Sequence, residues 1–191
     1  MELKRRLARL LMRLSYIPGE VTLTSGRKSD YYFDCKQTAL HPEGGFLIGN
    51  LFLDMLHGRD IDAVGGMTLG ADPLVSATSV LSFVRGRGLP GFIIRKQSKG
   101  HGTNQYLEGL KNIPAGAKVA LLEDVVTTGG TLVTAAQRVR DAGFEIAVVL
   151  CVLDRQEGGS DNLAKAGLPL EAVFTRQALV ELAAEGRPER E

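Results

Sequence analysis

The chain has 191 residues, 44% hydrophobic and 24% charged, enough for one compact core and short for two. Its formal net charge of +1 supplies no field for non-specific nucleic-acid binding, so anionic ligands must be met by local positive groups. The 23 glycines cluster without a repeat, which excludes collagen-like and low-complexity classes and suits several ligand loops.

In residues 1–14, Leu3, Leu7, Leu10, Leu11 and Leu14 recur at helical spacing among basic residues. No long apolar run or small-residue cleavage site follows, so the segment reads as an amphipathic helix docked on the domain rather than a targeting peptide. No stretch reaches transmembrane length; a cytoplasmic protein without membrane or nucleic-acid partners is expected. Cys35 and Cys151 lack CxxC spacing and read as reduced thiols packed like small apolar residues.

Residues 21–23 and 31–33 read as short strands around a Ser25-Gly26-Arg27-Lys28 turn. A helix over 43–57 enters through Pro42 and carries Leu47, Ile48, Leu51, Phe52, Met55 and Leu56. Strands and helices then alternate: strand 63–67, a helix from near Pro73, strand 91–96, a long polar loop, strand 119–124, helix 131–142, strand 145–154, strand 170–175 and a terminal helix. This order predicts an α/β fold, a parallel twisted sheet flanked by helices, with ligands at the carboxyl ends of the strands. No linker interrupts it, so residues 1–191 read as one domain with a small hood formed mainly by 1–40. Each polar cluster falls at a strand end: Thr68-Leu69-Gly70, Arg95-Lys96, Glu123-Asp124 and Asp154-Arg155.

The richest stretch is ALLEDVVTTGGT, residues 120–131. A buried strand ends in two carboxylates, then turns through Thr and Gly into a helix. Backbone N–H groups and hydroxyls at such a helix start suit an anion, favoured there by about 0.3–1 kcal/mol at an exposed site. The paired acids accept hydrogen bonds from hydroxyls or hold a hydrated cation. A phosphate beside a diol is a sugar phosphate.

RKQSKGHG, residues 95–102, opens a loop without apolar periodicity. Arg95, Lys96, Lys99 and His101 would surround a polyanion, with Gly100 and Gly102 letting the loop close; the alternative is a solvated charged loop. The glycines of 65–72 would let backbone amides approach a diphosphate, or simply make a turn. Arg155, just past an apolar strand, would make a paired contact with a ligand carboxylate; the alternative is a surface pair with Asp154 or Glu157.

Residues 120–131 resemble the phosphoribosyl pyrophosphate signature of the type I phosphoribosyltransferases. With SGRKS and its paired aromatics, RK..K.HG, EDVVTTGGT and LDRQE in order over nearly the whole length, the chain resembles the orotate phosphoribosyltransferases. The resemblance implies transfer of the 5-phosphoribosyl group from phosphoribosyl pyrophosphate to N1 of orotate, giving orotidine 5′-phosphate and pyrophosphate in UMP biosynthesis. It implies Mg²⁺ as cofactor, held mainly by substrate without direct protein ligands, and through water by Glu123 and Asp124. It assigns Glu123 and Asp124 to the ribose hydroxyls. The run Val125, Val126, Thr127, Thr128, Gly129, Gly130 and Thr131 binds substrate, with Thr127 to Thr131 on the 5′-phosphate. Thr127 and Arg155 are assigned to orotate, flanked by Tyr32 and Phe33, and Arg95, Lys96, Lys99 and His101 to pyrophosphate. Lys99, His101 and Asp124 are the implied catalytic groups. A homodimer is implied, the loop of one subunit reaching its neighbour's site.

Two positions depart from the family pattern, where many bacterial members carry lysine: Thr24 before SGRKS, and Gly70. A purine or uracil phosphoribosyltransferase is disfavoured by the LDRQE arginine and the SGRKS segment. A nucleic-acid-binding regulator is disfavoured by the net charge, and a P-loop hydrolase by the absence of GxxxxGK[ST].

Overall fold

Two apolar runs, ALL before Glu123 and VVLCVL before Asp154, are too uniformly hydrophobic for a strand with one wet face. They form β6 (Lys118–Val126) and β7 (Glu145–Asp154), paired in parallel at the middle of the sheet. The computed structural model describes residues 1–22, 28–97 and 106–184. In it β3 (Ala63–Met67) pairs with β6 on one side, and β8 (Leu170–Thr175) pairs with β7 on the other. β4 (Gly91–Ile94) lies outside β3 and is edged by the two-residue β5 (Leu107–Glu108). The expected α/β architecture is present, with one difference: β5 runs antiparallel to β4, pairing Ile93 with Glu108 and Ile94 with Leu107. β4 and β5 are thus the two arms of a hairpin.

Strand alternation sends side chains to two faces. On β6 and β7, Ala120, Leu122, Val148, Leu150 and Val152 join one core with α1 (Glu2–Leu14), α3 (Pro42–Met55), α4 (Asp72–Val84) and α7 (Arg176–Ala184). Val119, Leu121, Val149 and Cys151 join the other with α5 (Gly130–Asp141) and α6 (Gly159–Lys165). The leucine stripe of α1 is buried through Leu7, Leu10 and Leu11, as its spacing predicts. Cys35 and Cys151 are free, fully buried thiols in these two cores.

β1 (Tyr16–Thr22) and β2 (Lys28–Phe33) make a separate antiparallel pair, followed by the short α2 (Cys35–Ala39). The buried Ser15 and Thr38 hydroxyls, 2.7 Å apart, tie α2 to the end of α1.

From β3 the chain winds outward to β4, and from β6 it winds the other way to β7 and β8. The crevice at the carboxyl ends of β3 and β6 is the topological switch point, where ligands bind in open α/β sheets. Gly65 and Gly66 are required by packing, and neither lines the cavity at this switch point. A Cβ on Gly65 would overlap the Phe92 ring, and one on Gly66 would overlap the Leu122 carbonyl oxygen.

Candidate active site

β6 delivers two carboxylates to the switch point. Successive strand residues face opposite ways, so Glu123 and Asp124 diverge from a common root. Glu123 is 7% exposed, and one of its oxygens accepts the Asp124 N–H at 3.1 Å. Burial, then the adjacent Asp124 charge, push its carboxyl well above the ordinary glutamate range, with Lys96 opposing. Asp124 accepts the Val125 N–H at 2.8 Å. A Cβ on Gly70 would stand 2.9 Å from the Asp124 carboxylate, so the residue after the β3 turn sits directly on the acid pair.

Beyond Val126 the chain turns through Thr127 and Thr128 to Gly129, whose φ of +79° is the left-handed conformation that glycine accepts without strain. α5 begins at Gly130, and its first-turn N–H groups have no carbonyl partners within the helix. α6 braces this turn from behind. Asn162 donates to the Thr128 carbonyl at 3.0 Å, and a Cβ on Gly159 would stand 2.7 Å from the Thr127 carbonyl oxygen.

Arg155, at the end of β7, is only 4% exposed. Its Nε donates to Glu157 at 2.8 Å, and its guanidinium carbon lies 4.5 Å from the Tyr31 ring centroid. The Arg155–Glu157 pair read as an alternative from the sequence therefore exists, but below the surface and beside the cavity rather than in place of it. Tyr31 also stacks on Tyr16, at 5.7 Å between centroids, so the β1–β2 pair rests on this arginine.

These groups enclose a cavity of about 780 Å³, a size suited to a small-molecule substrate. Its lining includes Tyr32, Phe33, Lys96, Glu123, Asp124, Val125, Val126, Thr127, Thr128, Gly129, Gly130, Thr131 and Arg155. Arg95 is not brought to this lining; its Nη1 pairs with Glu108 across the hairpin at 3.0 Å. Lys99 and His101, like Thr24 and the 25–27 turn, lie outside the described residues.

Sequence reasoning missed Lys36 in the lining; Thr68 and Gly70 belong to the strand-end cluster that it singled out, and Met67 to the 65–72 stretch. Lys36 sits in the first turn of α2, 2.7 Å from Asp34. That hydrogen bond raises its pKa, so it stays charged in the cavity. Its one sequence signal is a place three residues past the paired aromatics.

The phosphoribosyl transferase domain model matches residues 38–174. The orotate phosphoribosyltransferase of Nostoc sp. is 49% identical over 91% of this chain and 83% of its own. The chain belongs to the orotate phosphoribosyltransferase family. The crystal structure of the Mycobacterium tuberculosis H37Rv member in complex with Fe(III) dicitrate is 37% identical, with a TM-score of 0.80 over 93% of this chain and 98% of that one. A structure of that enzyme in complex with 5-phospho-alpha-D-ribosyl 1-diphosphate is 34% identical, with a TM-score of 0.77 over 93% and 99% of the two chains.

The acid pair sets a pH dependence. In the substrate-free fold the raised Glu123 pKa means that the native state holds a proton which the unfolded chain releases from about pH 4 upward. Its contribution to stability is complete below that pH and is lost as pH rises through the raised value. Glu123→Gln cannot ionise, so its melting temperature minus that of the wild type is expected to grow with pH between about 4 and 9. A difference constant across thermal melts in that range would show that Glu123 titrates normally.

Proposed function

We propose that the protein transfers the 5-phosphoribosyl group of phosphoribosyl pyrophosphate to N1 of orotate, releasing pyrophosphate and forming orotidine 5′-phosphate for UMP synthesis. The observation that carries this reading is the convergence on one cavity of the Glu123–Asp124 pair, the Thr127–Thr131 turn and the Arg155 guanidinium. The helix start takes the 5′-phosphate on backbone N–H groups. The acid pair accepts the 2′ and 3′ ribose hydroxyls and moderates positive charge as the C1′–oxygen bond to pyrophosphate breaks. Arg155 holds the orotate carboxylate, with Tyr32 and Phe33 flanking the ring, so that N1 meets C1′ opposite the leaving group and gives up its proton to the departing pyrophosphate as the C1′–N1 bond forms. Lys96, Lys99 and His101 stabilise the departing pyrophosphate, and the segment 1–40 serves as a hood over the bound base.

Among the described residues, no three His, Cys, Asp or Glu side chains converge as metal ligands. The protein donors that would hold a hydrated Mg²⁺ are the Glu123–Asp124 pair, through water. When bound, the ion neutralises charge on the pyrophosphate.

A homodimer accords with α4, where Val80, Phe83 and Val84 share one largely exposed face at i, i+3, i+4 spacing. A cytoplasmic location accords with two free, buried thiols. No described helix is long and apolar enough to cross a membrane.

Adding phosphoribosyl pyrophosphate and Mg²⁺ should lower orotate absorbance, while uracil stays unconverted. A bond between Arg155 and a ligand carboxylate is worth about 1.5–3 kcal/mol. Arg155→Ala should therefore raise the KM for orotate about tenfold to a hundredfold and leave that for phosphoribosyl pyrophosphate nearly unchanged. Conversion of uracil, or an equal loss for both substrates, would refute the assignment. In sedimentation the wild type should weigh two chains and Phe83→Asp one; a dimeric variant would clear this face of the interface.

A further inference from the structure

Arg138 stands on α5, about two turns beyond the helix start that faces the cavity. Its side chain runs to the neck of the β4–β5 hairpin, where Arg95 and Lys96 stand against Tyr106. Nη1 donates to the Arg95 carbonyl at 2.6 Å, and Nη2 to the Lys96 carbonyl at 3.2 Å. The guanidinium carbon lies 4.2 Å from the Tyr106 ring centroid, and Nη1 also reaches the Met67 sulfur at 3.8 Å. The hairpin is closed at the same level by the Arg95 N–H donating to the Tyr106 carbonyl at 2.7 Å.

β4 ends at Ile94, so the carbonyls of residues 95 and 96 lie past its last strand residue. A planar guanidinium can bridge two consecutive carbonyls and lie flat on an aromatic ring at once, which an ammonium cannot. One half-buried side chain therefore fixes both sides of the neck, and fixes them to the helix whose first turn lines the cavity. Between the two carbonyls it holds begins the side chain of Lys96, which lines the cavity itself.

We propose that Arg138 is a positioning residue for phosphoribosyl transfer, fastening the hairpin neck to α5 so that Lys96 stands at a fixed place against the leaving pyrophosphate. It needs no contact with substrate. The inference rests on the transfer reading given above. It separates two subsites: Arg138 acts on the pyrophosphate side through the neck, and leaves the α5 start to bind the 5′-phosphate unaided.

The test is steady-state kinetics and ligand binding on the full chain with Arg138→Ala, Arg138→Lys and, as a control on the same helix, Arg140→Ala, whose wild-type side chain donates to the Ala166 carbonyl away from the neck. Arg138→Ala is expected to lower kcat about tenfold and to raise the inhibition constant for pyrophosphate by a similar factor. Its KM for orotate and its affinity for ribose 5-phosphate should stay within about twofold of wild type. Arg138→Lys should fall between, and Arg140→Ala should match the wild type. If Arg138→Ala does not fold, the lysine variant carries the same comparison. Equal weakening of pyrophosphate and ribose 5-phosphate binding would mean that Arg138 merely supports α5, and wild-type kinetics in the variant would remove it from the reaction; either overturns the proposal. A wild-type chain that does not convert orotate would instead overturn the transfer reading, so the two failures are distinguishable.

Discussion

The site depends on a carboxylate that the fold keeps out of water. Glu123 follows three fully buried residues, Ala120, Leu121 and Leu122, and is itself nearly buried beside a second acid. Two neighbouring carboxylates in such a place resist double ionisation, and the raised Glu123 pKa expresses that cost. Hydroxyl donors or a hydrated cation placed against the pair would relieve that cost. Among the described residues, the cations that line the cavity are Lys36 on α2, Lys96 just past β4 and Arg155 just past β7. Their charges meet only in the folded chain.

The turn after the acids is held as closely from behind as it is open in front. Gly159 and Asn162 of α6 press on Thr127 and Thr128, and Gly129 takes the left-handed conformation that starts α5. A first turn held this way presents its N–H groups without further ordering when an anion arrives, which favours affinity. The position of Gly70 against Asp124 gives the missing lysine a physical setting. A side chain there would have to displace the carboxylate or lie across it. In this chain another cation, Lys36 on α2, lines the same cavity.

Much of this was legible in the sequence where burial dictates composition. The strands at Ala63–Met67, Glu145–Asp154 and Leu170–Thr175 have the bounds that their apolar runs predict, and α5 begins one residue earlier than its pattern suggests. Short or nonlocal features were not legible. α2 has five residues and α6 seven, too few to show a helical period. β5 has two, hidden inside a polar loop, and its existence depends on pairing with β4. That pairing is what turns Arg95 toward Glu108. β1 begins at Tyr16, across a Pro18-Gly19 step that reads locally as a break. The packing role of the Gly65-Gly66 pair was not legible either, since the sequence alone does not show that a phenylalanine ring lies against Gly65. Arg138 resembles any charge on an amphipathic helix until its partners are known.

The most direct measurement is a crystal structure of the chain soaked with phosphoribosyl pyrophosphate. The account predicts the 5′-phosphate oxygens about 2.7–3.2 Å from backbone nitrogens of residues 128–131, with the ribose hydroxyls on Glu123 and Asp124. A 5′-phosphate bound instead at the hairpin neck, with the Thr127–Thr131 turn left to solvent, would contradict it.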